Sequence, residues 1–161
     1  MKRLILIFCL FIAQNFFSQM AVTDVGATAQ LAQTVSTATK SLTQLNNTYK
    51  VLKEANDKIE KVNSAVQQAN HLQNIINKQK EAINNANQIL KLAKTRKMNL
   101  AGVNQNLQII QGSINTVQAL LRNGLFNMND GERFARLDAE YQKANQANGK
   151  IKSALIRARF R

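Results

Sequence analysis

His71 is the only histidine in the 161-residue chain, and Cys9 is the only cysteine. A metal site built on His71 would need carboxylates or thiolates at ligand spacing, and the acids do not offer them. His71 therefore reads as a helix-face residue rather than a ligand. Most of the acids fall in two groups, Glu54-x-x-Asp57-x-x-Glu60 and Asp130, Glu132, Asp138 and Glu140. Lys53, Lys58, Lys61, Arg133 and Arg136 are interleaved with them, as expected for ion pairs along helix surfaces. Paired-carboxylate catalysis would need a cleft, which a rod-like pattern does not supply. Ser and Thr are plentiful, but with one histidine no specific Ser-His-acid set can be assembled, and no Gly-rich phosphate loop is present. The chain is expected to be no enzyme, to hold no cofactor or metal, and to act by binding.

The elements that would present such binding begin after a leader. Lys2 and Arg3 precede an unbroken apolar run, Leu4 to Ala13. That is the size of a signal-peptide core and too short to span a bilayer. Asn15 to Gln19 forms the polar end, so residues 1–19 read as a signal peptide, with an uncleaved N-terminal anchor as the other reading. Phe8 before Cys9 is too large for a lipoprotein signal. Cleavage would remove Cys9 and leave no disulfide or thiolate chemistry. Loss of Lys2 and Arg3 takes the formal charge from +13 to about +11, which still attracts anionic lipid, acidic partners or nucleic acid.

Residues 20–161 read as one elongated helical domain. Pro is absent, Gly numbers six and Trp is absent, so little punctuates helices and little bulk fills a compact enzyme core. Asn and Gln number about three dozen; Asn is a mediocre helix former, so apolar stripes must hold the helices in place. A long helix is expected from about 29 to 95. Its seam, Leu42, Leu45, Tyr49, Leu52, Asn56, Ile59, Asn63 and Val66, steps by threes and fours like a coiled coil. The frame slips by one and resumes as Ala69, Leu72, Ile76, Gln79, Ile83, Ala86, Leu90 and Ala93, a change of winding or a bend. A continuous rod of this length must fold back, break or pair with another chain.

Lys94 to Gly102 is the best turn, its cations suiting a helix C-terminus. A helix over about 103–123 follows, with the seam Val103, Leu107, Ile110, Ile114, Val117 and Leu121 and an end at Gly124. The last helix, about 129–160, opens on Asn129 with Glu132 three residues on, a capping-box arrangement. Its seam is Phe134, Leu137, Tyr141, Ala144, Asn148, Ile151, Leu155 and Ala158. The expected fold is all-α: an elongated antiparallel hairpin of coiled-coil type, with the C-terminal helix packed alongside through Phe134, Leu137 and Tyr141. Leu42, Leu45, Tyr49, Leu52, Ile59, Phe134 and Tyr141 are the candidate interface residues, within the chain or between copies of a homo-oligomer.

After Glu140 the chain has no acid, while Lys143, Lys150, Lys152, Arg157, Arg159 and Arg161 accumulate. Lys150, Lys152, Arg157, Arg159 and Arg161 are the candidate contacts to an anionic membrane or to DNA, with Ile151, Leu155, Ile156 and Phe160 as apolar companions. The plainer reading is a solvated, dipole-compatible helix end. No DNA-binding motif accompanies the charge.

Two stretches resemble conjugal transfer proteins of the TrbJ/TraI kind, periplasmic or minor-pilin components of conjugative type IV secretion systems. One is Ala21-Val22-Thr23-Asp24-Val25-Gly26-Ala27-Thr28-Ala29-Gln30-Leu31-Ala32-Gln33; the other is Met128-Asn129-Asp130-Gly131-Glu132-Arg133-Phe134. Where that family commonly has Pro after the Asp, this chain has Val25. The resemblance implies a structural or adhesive part of a mating-pair apparatus, partnered by other transfer proteins and exported to the periplasm, cell surface or pilus of a Gram-negative bacterium. It carries over no catalytic residue. The rival reading is a periplasmic holdase with basic helical hairpins, although no strand pattern for the assembly core of such chaperones is present.

Overall fold

The computed structural model describes residues 25–58, 63–96, 98–123 and 129–160. Among them the secondary structure is four helices: α1 (Val25–Lys58), α2 (Asn63–Ala93), α3 (Ala101–Asn123) and α4 (Asp130–Arg159). The fold is all-α.

The helices run up, down, up and down. Side-chain bonds fix the order around the bundle. Thr34 reaches Asn104 and Ser41 meets Gln111, so α1 and α3 lie side by side and parallel. His71 meets Asp138, Asn85 meets Asn148 and Arg96 meets Ala158, so α2 and α4 are also parallel neighbours. Ser113 against Glu140, with Gly102 and Val103 sharing a groove with Arg157 and Ala158, makes α3 and α4 antiparallel. Helices α2 and α3 meet across the core, while among the described residues α1 and α4 do not touch. The neighbours around the square are thus α1, α2, α4 and α3.

The single helix expected over residues 29–95 is corrected. Helices α1 and α2 are separate and pack together, with Thr39, Leu42 and Asn46 facing Gln73, Ile76 and Ile83 across a shared groove. The physical reason is the unsatisfied rod. Folding back lets Leu31, Val35, Ala38, Leu45 and Tyr49 bury against the rest of the chain. Ile59 lies outside the described residues, as do the side chains of Leu52, Asn56, Asn63 and Val66, the leader 1–19, Gly124 and Arg161.

Helix α2 carries more than the one stripe read from sequence. Ile75, Ala82 and Ile89, each fully buried, add a second row beside Leu72, Ile76, Ile83 and Ala86. A wide apolar face suits a helix that meets all three others. In α3 every expected seam residue from Val103 to Leu121 is buried, joined by Leu100 and Leu120. Helix α4 is therefore no mere side strut to a hairpin of α2 and α3. Its Ala144, Ala147, Ile151 and Leu155 are buried, and it is inserted between the ends of that diagonal.

Local signals set the helix ends. Thr95 and Arg96 turn back onto the carbonyl of Leu92, closing α2. The Asn99 side chain accepts from the Ala101 amide at 3.0 Å at the start of α3. Asn129, in extended backbone, accepts from the Glu132 amide at 2.8 Å. Such a cap contributes about 1 kcal/mol.

Candidate functional site

Three polar features stand out from the apolar core. The first surrounds His71 on α2. Its ring lies 5.0 Å from that of Phe134 and 5.5 Å from that of Tyr141, and its Nε2 is 3.8 Å from Asp138 Oδ1. The histidine side chain is 16% exposed and Asp138 48%. This is a tethered aromatic stack on a helix face with one acid at its rim. Among the described residues no group of three or more His, Cys, Asp or Glu comes close enough to hold a metal ion.

The second is a polar layer through the middle of the bundle. Gln79 is fully buried and donates through Nε2 to Ser113 Oγ at 3.1 Å. Ser113 in turn makes a long contact, 3.4 Å, to the Glu140 carbonyl. The Glu140 side chain is only 5% exposed and accepts from Lys143 Nζ at 2.7 Å. Gln79 Oε1 and Glu140 Oε2 find no protein partner. Buried polar groups of this kind are costly unless paired, and they favour one register over its neighbours.

The third is the end of the bundle where α2 and α4 finish and α1 and α3 begin. A groove of about 840 Å³ opens there between the α2–α3 turn and α4, and Arg96, Lys150 and Arg157 line it with Asn99 and Ala154. Arg96 is anchored by donating from Nη1 to the Ala158 carbonyl at 2.8 Å. Lys150, Arg157 and Arg159 are exposed. Arg159 bonds Gln88 of α2, and Lys152 lies 3.8 Å from Glu81. Among the described residues Arg96, Lys150 and Arg157 form no ion pair. Of the five basic residues expected to act together, Lys150, Arg157 and Arg159 stand exposed toward the end of α4, Lys152 sits beside mid-helix Glu81, and Arg161 lies outside the described residues.

Arg96 joins that end from a distant point of the sequence. On sequence it belongs to a turn, and only the packing of α2 beside α4 brings it to Ala158. The signal available beforehand was negative: no acid occurs from residue 82 to 129 or after Glu140.

The expected interface residues have other fates. Leu45 and Tyr49 are buried within the chain, and Leu42 is half-buried beside the α1–α2 groove, so these faces serve the bundle itself. Tyr141 is half-buried against His71, whereas Phe134 remains 43% exposed. None of the described helices is long and apolar enough to cross a membrane.

No family model matches the chain, and neither a curated protein nor a solved structure matches it.

Proposed function

We propose that this chain is an exported, non-enzymatic structural or adhesive component of a conjugative type IV secretion mating-pair apparatus, acting through protein–protein contacts. The observation that carries the reading is the pair of stretches, residues 21–33 and 128–134, that resemble conjugal transfer proteins behind a leader of signal-peptide type. The second stretch includes Asn129, the cap of α4. Supporting it, the buried polar groups of Gln79, Ser113, Asn104 and Asn148 bond one another or neighbouring helices rather than lining a cleft. Phe134, exposed and backed by His71, offers an apolar contact to another transfer protein. A holdase would keep its apolar stripes open for clients, whereas Leu45, Ile83, Ile110 and Ile151 are enclosed here.

Deleting the gene from a donor cell is expected to lower conjugative transfer by orders of magnitude, with full recovery on complementation. A Phe134→Ser chain should be exported and folded normally yet restore transfer poorly. Transfer at wild-type frequency in the deletion strain would remove the proposal. Accumulation of aggregated outer-membrane proteins in that strain would point to the holdase instead.

A further inference from the structure

The cations of this chain occur along the whole bundle axis, but the acids of the described helices do not. All nine acids fall at Asp24, Glu54, Asp57, Glu60, Glu81, Asp130, Glu132, Asp138 and Glu140. Within α1 and α4 they gather toward the end where α1 finishes and α4 begins; on α2, Glu81 sits mid-helix beside Lys78 and Lys152. The opposite end holds Lys91, Lys94, Arg96, Lys150, Arg157 and Arg159, and α2, α3 and α4 bring no acid to it. At that same end the apolar side chains of Ile156 and Phe160 are 47% and 87% exposed, one turn apart on α4 and flanked by Arg157 and Arg159. Helix α1 also begins there, at exposed Val25.

We infer that the basic end of the bundle docks on an anionic phospholipid surface, Arg96, Lys150 and Arg157 taking headgroup phosphates into their groove while Ile156 and Phe160 enter the acyl boundary. Cations interspersed with exposed aliphatic and aromatic side chains are the chemistry of interfacial membrane contact. Neutralising nucleic-acid phosphates needs the cations alone and gives no reason for Phe160 to stand in water. The arrangement also orients the molecule. Helix α4, 30 residues long, would stand on the order of 45 Å from the lipid at 1.5 Å per residue. The acid-bearing end with Phe134 would face outward. This docking does not rest on the transfer reading.

The test uses the full chain and co-sedimentation with vesicles of phosphatidylcholine alone or with one-third phosphatidylglycerol. Binding to the neutral vesicles measures the apolar contribution of the leader, and because Lys2 and Arg3 also favour anionic lipid, the basic end is measured by the part of the anionic excess that its own substitutions remove. A juxtamembrane Lys or Arg is worth roughly fivefold in partitioning. Lys150→Glu with Arg157→Glu, both exposed, should therefore cut the anionic excess at least about tenfold. Phe160→Ser should lower it with no change in charge. Lys50→Glu with Lys53→Glu changes net charge equally at the far end and should leave it nearly intact. Raising salt toward 1 M, where the Debye length falls to about 3 Å, should abolish the excess. Equal losses from the near and far charge reversals would overturn the docking end. So would equal binding to both vesicle types. A short DNA duplex bound through Lys150 and Arg157 without any vesicle excess would overturn it in favour of nucleic acid.

Discussion

Ile114→Asp is expected to cost about 4 kcal/mol or more and to unfold the bundle at temperatures where the native chain is stable. Ile114 is fully buried in α3, within the core cluster that includes Ile110 and Val117. The substitution removes a branched apolar side chain and puts a carboxylate into an apolar cluster, and small domains have only about 5–15 kcal/mol in total. Asn115→Asp, one residue away and exposed, adds the same charge to a basic protein and should change stability by less than ~0.5 kcal/mol. Urea unfolding followed by circular dichroism compares the two. If both melt alike, the burial of α3 in this bundle is wrong.

The second large effect concerns the polar layer. Lys143→Ala is expected to destabilise by roughly 2–3 kcal/mol, because it leaves the Glu140 carboxylate enclosed without its cation. Breaking a buried pair costs about 3–5 kcal/mol, and the lower figure reflects a lysine that is 59% exposed and screened by water. Adding Glu140→Gln to Lys143→Ala should return most of the loss, since a neutral amide tolerates burial better than an unpaired charge. A double-mutant cycle in denaturant gives the coupling directly. A single Lys143→Ala chain as stable as the native protein would show that Glu140 draws nothing from that contact.

The seam of α3 was legible because its six apolar residues step by threes and fours with no interruption, and burial follows them. The same was true of Leu72 to Ala93 in α2 except at half-buried Leu90, down to Gln79, a polar residue standing in an apolar register. Two things were not legible there. Helices α1 and α2 run antiparallel although no Gly or Pro stands between Lys58 and Asn63, and the one-residue slip of the seam before Ala69 does not tell a bend from a reversal. The second row of Ile75, Ala82 and Ile89 marks a helix with several neighbours, but periodicity does not say which ones. The start of the α1 stripe, Leu31, Val35 and Ala38, is mostly small residues and blends into the Ala- and Thr-rich run around it. At the basic end, Lys150 to Arg159 could be read as one helical run, whereas Arg96 arrives through tertiary packing that charge order alone does not encode.

Among the described residues, helices α2 and α3 each meet all three other helices, while α1 packs on those two and not on α4. A groove of about 340 Å³ runs along the contact of α1 with α2, and side-chain bonds join Thr34 and Ser41 to α3. Such an element is a natural cooperative unit of partial opening, released while the remaining three helices hold one another. Amide hydrogens in the middle of α1 should accordingly exchange with solvent before those around Ile75–Ile89 and Leu107–Val117, whose release requires global unfolding. Protection in α1 equal to that of α2 would mean that the four helices come apart in a single event.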